Sequence, residues 1–384
     1  MIWLSLVVLL IAVVGCAYLV AAAILVHRFT RIRASALPAS MPAVTVLKPL
    51  DGDEPGLLDN LASFCRQDYR GPIQIVLGVQ DPNDPAIAVV KELRRAEPTC
   101  DLDLVVDSSL HGMNRKVSNL VNMAPRIARD VVVLADSDMR VERDYLGRVI
   151  AALETPDVGA VTCLYYGVAA TGIWSQFSAL AINAQFLPSV VVAMALRLAH
   201  PCFGSTIALK RQTLEAIGGF KAFADSLADD YAIGQALRAR GCTISVPPFA
   251  IAHMCTATSL GALWRHELRW ARTIRSIDPL GYAGSMAGHP LAWALIAALV
   301  GAGSAAFVPA IGLILASLTC RIALLRQVER GFGLPAQAYW LVPVRDLLSF
   351  AVFVLSFLGR DVSWRGRRYR MGPGGGWAAD RGSD

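Results

Sequence analysis

Hydrophobic residues are distributed in two ways along this chain: long uncharged runs lie towards both ends, and short β-branched runs lie between them. The first long run, residues 2–26, contains no charged residue, and about 20 apolar residues suffice to span a bilayer. No basic residue precedes this run, and it is longer than the ~7–15-residue core of a signal peptide. We therefore predict a retained transmembrane anchor over residues 1–27.

A second long run lies in the C-terminal third. Residues 291–320 are 30 consecutive uncharged positions, which would make a single helix about 45 Å long. The hydrocarbon core of a bilayer is only about 30 Å thick, so the run predicts either a strongly tilted helix or a hairpin. A hairpin would break near Gly301, Gly303 and Pro309.

A third apolar run, residues 340–358, is a candidate membrane helix even though Arg345 and Asp346 lie inside it. Two to three membrane helices are therefore expected within residues 289–359. The basic tail, residues 360–384, is expected in the cytoplasm, because arginine-rich flanks stay on that side of the membrane.

Residues 42–275 have the mixed composition of a soluble domain. Short β-branched runs alternate with helix-like segments, which predicts an α/β fold with a mostly parallel sheet covered on both faces. The uncharged stretch 173–196 is long enough to cross a membrane, but crossing would separate the acidic motifs on its two sides. We therefore predict an interfacial segment over residues 173–199. The predicted strands are residues 43–50, 73–79, 102–106, 131–135 and 158–163.

The composition agrees with a membrane protein, since 55% of residues are hydrophobic and 17% are charged, against about 25% charged in soluble domains. The net charge of +6 comes mostly from arginines beside the apolar runs, and Arg28, Arg31 and Arg33 predict that the central domain faces the cytoplasm. Basic residues do not interleave with aromatic ones in that domain, so nucleic acid is not an expected partner. The eight cysteines form no CxxC pair, which favours structural thiols in a reducing compartment.

The stretch VVVLADSDMRV, residues 131–141, leads from a buried-strand pattern directly into Asp136 and Asp138. Two carboxylates just past a strand end are a recurrent way to hold Mg²⁺ or Mn²⁺, which take oxygen ligands and share them with phosphate and water. In open α/β sheets, ligands bind beyond the carboxyl ends of the strands. Other predicted strand ends carry Pro49, Asp81 and Asp84.

Two more motifs follow along the chain. ADDY contains Asp229 and Asp230 and opens a helix-like run, where carboxylates are often only helix caps. HELRW, residues 266–270, lies in a basic and aromatic stretch before the C-terminal apolar runs. Such a stretch is also typical of an interfacial helix, so neither motif is specific alone.

The order of the motifs is more specific than any one of them. A strand-end Asp, a DxD, a DD pair and an x-x-Arg-Trp motif before membrane helices resemble the GT-A glycosyltransferases of family-2 type and, more closely, the ceramide glucosyltransferase family. Bacterial hopanoid-associated glycosyltransferases share this layout and a tail like WRGRRYR. The resemblance covers residues 44–272 and is carried by LKPLDGDEP (47–55), QDPNDPAI (80–87), NRKVSNL (114–120), ADSDMRV (135–141), GGFKAFADSLADDY (218–231) and LRW (268–270).

The resemblance implies an inverting transfer of one sugar, glucose or N-acetylglucosamine, from a UDP-sugar to a hydroxyl of a membrane lipid such as ceramide or a hopanoid polyol. Asp230 would be the general base, Arg269 would stabilise the departing UDP, and Trp270 would wall the acceptor site. Asp136 and Asp138 would position the diphosphate through Mg²⁺ or Mn²⁺. The other implied substrate-binding residues are Pro49, Asp81, Asp84, Lys116, Gly204, Ser205, Asp229 and His266.

One position departs from the family pattern, because the (Q/R)xxRW motif begins here with His266. Histidine is shorter than Gln or Arg and is partly neutral near pH 7, so this change predicts an altered acceptor choice or weaker diphosphate binding. A processive polysaccharide synthase is the first alternative, disfavoured by the few membrane segments. A catalytically degenerate lipid-binding protein is the second, disfavoured by the intact carboxylates and the Arg-Trp pair.

Overall fold

The computed structural model of the protein describes residues 2–33, 41–359, 361–364, 367–371 and 377–379. The chain forms two compact units. The α/β unit contains residues 33–170 and 200–256, and the helical unit contains residues 1–32, 171–199 and 257–384. The predicted interfacial segment, residues 173–199, thus belongs to the helical unit.

The five predicted strands are all present, and each differs from its prediction by at most one residue at either end. The strands of the α/β unit are β1 (Val44–Pro49), β2 (Ile73–Val79), β3 (Asp101–Val106), β4 (Val131–Leu134), β5 (Met139–Arg140), β6 (Val158–Thr162), β7 (Leu164–Ala169), β8 (Ile207–Lys210), β9 (Thr243–Ser245) and β10 (Ala250–Cys255). Three short strands follow in the helical unit, β11 (Asp361–Trp364), β12 (Arg367–Met371) and β13 (Trp377–Ala379).

The main sheet has the strand order β3-β2-β1-β4-β8-β6-β9. Its first four strands are parallel, while β8 runs antiparallel to both of its neighbours. A second sheet has the strand order β5-β10-β7. Along the chain, each of its strands directly follows a strand of the main sheet. The predicted α/β class with a mostly parallel sheet is therefore confirmed.

The central strands are mostly hydrophobic, as is typical of parallel strands buried on both faces of a sheet. Every residue of β1 and β4 is buried. The edge strand β3 instead alternates Asp101 and Asp103 with apolar residues, and none of its residues is buried. Polar side chains on an edge strand protect the sheet from pairing with another chain.

Helices fill the connections between strands and form most of the second unit. They are α1 (Ile2–Thr30), α2 (Leu57–Cys65), α3 (Ala86–Ala96), α4 (Arg115–Met123), α5 (Tyr145–Leu153), α6 (Ile173–Ala181), α7 (Leu187–Ala195), α8 (Arg211–Ala216), α9 (Asp229–Ala239), α10 (Leu260–Ile277), α11 (Pro279–Gly284), α12 (Pro290–Val300), α13 (Phe307–Phe332) and α14 (Val342–Ser356). A π-helical turn, Ile182–Phe186, joins α6 to α7.

By length and composition, four helical segments of the described residues are able to cross a membrane: Trp3–Thr30, Ile173–Ala195, Phe307–Phe332 and Tyr339–Ser356. A fifth candidate is the pair Pro279–Gly288 and Pro290–Val300, which is bent by 67°. The uncharged run 291–320 is broken between Val300 and Phe307, as in the hairpin alternative.

Pro188 does not end the helical segment in which it lies. Proline has no N–H to donate to the carbonyl four residues earlier, which is that of Ala184, and the π-helical turn lies at this point. The Ala184 carbonyl instead accepts a hydrogen bond of 2.7 Å from Arg321 Nη1 on α13. A side chain of a neighbouring helix thus satisfies the backbone group that the proline leaves without its helical donor.

The basic tail lies only partly within the described residues. Its backbone forms the antiparallel sheet β11-β12-β13, with Asp361 opposite Arg370 and Met371 opposite Trp377. The predicted cytoplasmic position of this tail stays a prediction.

Candidate active site

Three predicted site segments meet at one edge of the main sheet because β2, β1 and β4 are parallel neighbours. Pro49 ends β1 and pairs with Gly78 of β2, and Leu47 pairs with Leu134 of β4. The carboxyl ends of the three strands therefore lead to the same edge, as the sequence pattern predicted. Asp136 follows β4 by two residues.

A lysine links the two acidic motifs. Lys116 Nζ lies 2.7 Å from Asp136 Oδ1 and 3.2 Å from Asp229 Oδ2. Lys116 is placed there by α4, whose first turn is capped by the Asn114 side chain accepting from Val117 N at 3.2 Å. Desolvation alone would lower the pKa of Lys116, but Asp136, Asp229 and Asp230 outweigh it and raise that pKa, so the ammonium stays charged.

Asp138 is held from the second sheet rather than by the lysine. His253 Nδ1 on β10 lies 3.4 Å from Asp138 Oδ2, and Met254 N donates to the Asp138 carbonyl at 2.9 Å. Desolvation alone would raise the pKa of Asp138, but His253, Lys48 and Lys116 outweigh it and keep that pKa below its ordinary value. Asp138 therefore remains a carboxylate.

Lys48, a fully buried residue of β1, holds the backbone of the turn that carries the two carboxylates. Lys48 Nζ donates to the Asp136 carbonyl at 2.6 Å and lies 3.9 Å from the centre of the Phe64 ring. Burial lowers the pKa of Lys48 to about 7, against the attraction of nearby carboxylates.

Lys48 and His253 were not predicted from the sequence. In each case the available signal was a cationic or titratable side chain inside a buried β-strand, at LKP and AHM. Such residues are rarely buried without a partner.

The carboxylate of Asp230 is oriented by two backbone N–H groups. Gly204 N donates to Oδ2 at 3.1 Å, and Tyr231 N donates to Oδ1 at 2.8 Å. Desolvation and the neighbouring Asp229 raise the pKa of Asp230 to about 6, although Lys116 acts in the opposite direction. A carboxylate with a pKa near the working pH is well suited to accept a proton.

Gly204 allows these groups to approach closely. A Cβ at this position would lie 2.8 Å from Asp136 Oδ2 and 3.0 Å from Lys116 Nζ. The Gly204 carbonyl also accepts from Asp136 N at 3.2 Å. Its neighbour Ser205 is buried and donates its hydroxyl to the Cys163 carbonyl at 2.9 Å, which anchors the loop.

The two aspartates after β2 differ in their surroundings. Asp84 is buried, and it accepts from Gly52 N at 3.1 Å and from Ala86 N at 2.8 Å, so it joins the loop after β1 to the start of α3. Asp81 is exposed and accepts from Asn83 N at 2.8 Å. Of the two, only Asp81 presents its side chain to solvent.

The remaining predicted residues lie in the helical unit, on α10. The rings of His266 and Trp270 lie one turn apart with centroids 4.7 Å from each other, and the Trp270 ring lies 6.1 Å from that of Phe186 in the π-helical turn. Arg269 precedes Trp270 on the same helix.

The acidic turn fits a divalent cation in its donor chemistry. Asp138 Oδ1 is buried and has no hydrogen-bond partner among the described residues, which is unusual for a carboxylate oxygen. In the described part of the chain no three His, Cys, Asp or Glu side chains form a metal-ligand group. Mg²⁺ and Mn²⁺ suit such a site, since they take few protein ligands and complete their shell with phosphate oxygens and water.

The acidic turn, the bridging lysine and the second acidic pair at a parallel-sheet edge are the arrangement expected of the GT-A glycosyltransferases that the sequence resembles. The chain belongs to glycosyl transferase family 21, whose family model matches residues 7–377. The resemblance found in the sequence is therefore confirmed.

Relatives of this chain include proteins named ceramide glucosyltransferase. The chain is 23% identical to ceramide glucosyltransferase 1 of Caenorhabditis elegans over 349 residues, which are 88% of this chain and 73% of that protein. It is 30% identical to ceramide glucosyltransferase of Gibberella zeae over 140 residues, which are 34% of this chain and 26% of that protein.

The fold is similar to that of a mannosyltransferase from Pyrobaculum calidifontis, solved in complex with GDP-Man and Mn²⁺. The TM-score is 0.52 at 20% sequence identity, and the match covers 91% of this chain and 99% of that one. At this identity the likeness shows the fold alone.

Proposed function

We propose that this protein is a membrane-bound inverting glycosyltransferase that moves one sugar from a UDP-sugar to a hydroxyl group of a membrane lipid. The observation that carries the proposal is the Asp230 carboxylate, which two backbone N–H groups orient and whose pKa is raised to about 6. The names of the relatives support a lipid acceptor, and glucose or N-acetylglucosamine is the proposed sugar.

The donor is proposed to bind along the carboxyl ends of β1, β2 and β4. Pro49, Asp81 and Asp84 would contact the uridine and ribose, and Lys116, which is paired with Asp136 of the acidic turn, would approach the nucleotide. This arrangement uses the crevice that open α/β sheets offer to nucleotides.

Asp136 and Asp138 would hold Mg²⁺ or Mn²⁺ together with the diphosphate. Asp138 is the stronger candidate, because Lys116 already neutralises Asp136 at 2.7 Å while Asp138 Oδ1 has no hydrogen-bond partner in the described residues. The cation, when bound, would neutralise the charge that develops on the departing UDP. The neighbouring structure, solved with Mn²⁺, supports a divalent metal.

Asp230 would take the proton from the lipid hydroxyl. The hydroxyl oxygen would form a bond to the anomeric carbon as the bond from that carbon to the UDP oxygen breaks on the opposite face, so the configuration inverts and UDP leaves with the electron pair. Arg269, assigned from the family motif, would stabilise the negative charge of UDP. Asp229 would hold Lys116 beside this site at 3.2 Å.

The acceptor is proposed to be ceramide or a hopanoid polyol. Trp270 would wall the acceptor site, with the His266 ring tilted against it at 46° and Phe186 beside it. Gly204 and Ser205 would form the acceptor loop, as the family pattern implies. His266 in place of Gln or Arg would tune the acceptor choice.

The test is mass spectrometry of products from purified full-length protein in lipid vesicles. The protein receives Mn²⁺ or Mg²⁺, equimolar UDP-glucose, UDP-N-acetylglucosamine, UDP-glucuronate and UDP-galactose, and both ceramide and bacteriohopanetetrol. We expect one mono-glycosylated lipid. A ladder of oligosaccharides would contradict single transfer, and UDP-sugar binding without any lipid product would support the degenerate alternative.

The matched variants are Asp230→Asn and Asp144→Asn. Asp230→Asn removes the proposed base with little change of volume and should lower product formation by at least about a hundredfold while the protein still binds UDP. Asp144 is an exposed carboxylate whose ion pair is with Arg148 at 3.5 Å, and it is not part of the proposed site, so Asp144→Asn should retain full activity. Equal activity of the two variants would refute the assignment of Asp230.

A further inference from the structure

Arg345 of α14 is one of the largest fully buried side chains of the protein, with 1% of its surface exposed. Its guanidinium has five N–H donors, and the described contacts use all of them. Nη1 and Nη2 donate to Glu267 Oε1 and Oε2 at 2.7 Å each, in a bidentate pair. The other bonds go to Ser349 Oγ from Nε at 3.0 Å and from Nη2 at 2.7 Å, and to the Phe177 carbonyl at 3.4 Å.

The partner of this arginine lies within the HELRW motif. Glu267 is on α10, two residues before Arg269, and its side chain is 12% exposed. At 3.6 residues per turn, residues two apart on a helix point about 160° away from each other. Fixing Glu267 against α14 therefore also fixes the direction of Arg269, on the opposite face of α10.

A bidentate pair constrains the rotation of a helix more strictly than apolar packing does, because both oxygen atoms must meet both nitrogen atoms in one plane. Two further polar links join α10 to the residues that follow α14. Arg272 Nη2 and Arg275 Nη2 donate to the carbonyls of Leu358 and Gly359 at 2.8 Å, and both bonds are exposed. Arg345 thus makes a buried, geometrically strict polar contact with α10, in addition to the apolar packing of that helix.

We propose that Arg345 is a positioning residue for sugar transfer: its pair with Glu267 sets the rotation of α10 and so the directions of Arg269 and Trp270. This inference rests on the proposed function, in which Arg269 acts on the departing UDP. An interaction realised only as UDP departs affects kcat, whereas donor affinity depends on residues of the α/β unit.

The test compares the wild-type protein with Arg345→Lys and Glu267→Gln in steady-state transfer from UDP-sugar to lipid. Lysine keeps the charge but cannot form the bidentate pair, and Glu267→Gln leaves the other three hydrogen bonds of Arg345 in place. We expect kcat to fall about tenfold in each variant, since small misplacements of catalytic groups are costly. The donor KM should stay within about twofold, and the double variant should lose no more than the more severe single variant.

Arg321→Lys is the matched control. Arg321 is also 1% exposed, and its hydrogen bonds go to Asp346, Ala184 and Gly288, none of which lies on α10. With a comparable loss of thermal stability, Arg321→Lys should keep kcat within about twofold of the wild type.

Two outcomes separate the inference from the function on which it rests. If the wild-type protein transfers sugar but Arg345→Lys and Arg321→Lys lose kcat equally, the positioning role alone is overturned. The same holds if the losses of the two single variants, Arg345→Lys and Glu267→Gln, add up in the double variant. Absence of transfer by the wild-type protein overturns the proposed function and the inference with it.

Discussion

Charge at the site is set by a few side chains that face one another. Lys116 forms ion pairs with Asp136 and Asp229 at 2.7 Å and 3.2 Å, whereas in the described part of the chain Asp230 has no ion pair as short as these. Two backbone N–H groups hold Asp230 instead. Because of this difference, we assign the two neighbouring carboxylates different roles. Asp229 is the counter-ion of Lys116, and Asp230 is the base.

The pH dependence of transfer follows from the state of Asp230. A raised pKa of about 6 means that the carboxylate is protonated, and unable to accept a proton, as the pH falls below that value. We expect kcat/KM to be level near neutral pH and to decrease tenfold per pH unit below about pH 6, as measured in a pH profile of the free enzyme.

Asp229→Asn provides the matched comparison for this profile. Asp229 contributes to raising the pKa of Asp230, so its removal should move the acidic limb to lower pH. An acidic limb in the same place in both proteins would show that a different group titrates.

Substitution of Gly204 tests the geometry around the acidic turn. A methyl group at this position would lie 2.8 Å from Asp136 Oδ2 and 3.0 Å from Lys116 Nζ, so Gly204→Ala must displace the carboxylate or the ammonium. We expect transfer activity to fall at least about tenfold with a small change in melting temperature, because both displaced groups are ends of flexible side chains. Steady-state kinetics and thermal unfolding measure the two quantities.

Gly284→Ala is the control for that substitution, since among the described residues no heavy atom beyond its chain neighbours and its own helix backbone lies within 4 Å of the corresponding Cβ position. It should leave both activity and stability unchanged. Full activity of Gly204→Ala would show that Asp136 and Lys116 need not occupy their observed positions.

At the level of elements, the apolar helices were read correctly from the sequence but their internal charges were not. In the sequence, Arg345 and Asp346 are two charged residues inside the candidate membrane helix over residues 340–358. In the structure both are buried and paired, Arg345 with Glu267 and Asp346 with Arg321. A charge that is paired within a helical bundle costs much less than one facing lipid, and hydropathy along one helix cannot reveal the partner.

The strands were predicted well for the opposite reason. A central parallel strand is mostly hydrophobic, so a few consecutive residues are enough to indicate where it begins and ends. The acidic turn after β4 was also predictable, because Asp136 and Asp138 come directly after the hydrophobic run. Only the sheet order, with β1 between β2 and β4, brings Pro49, Asp84 and that turn to one edge.

For the molecule as a whole, the arginines after α1 predict an α/β unit in the cytoplasm. The test is labelling of Asp144→Cys, an exposed site on that unit, with a membrane-impermeant maleimide. We expect labelling in inside-out membrane vesicles and none in sealed vesicles of the opposite orientation. The unsubstituted chain, with its eight cysteines, supplies the background, and labelling above it from the outer face only would contradict the predicted orientation.

The sequence by itself determined the α/β class, the apolar helices, the motif series and membership of the glycosyltransferase family. These are local features, since run lengths, strand periodicity and motif spacing each lie within a short stretch of chain. The tertiary structure alone decided which charges meet. Lys48 reaches Asp136 across 88 residues and Arg345 reaches Glu267 across 78, and such pairings follow from how distant elements pack, because no local pattern encodes the partner of a buried charge.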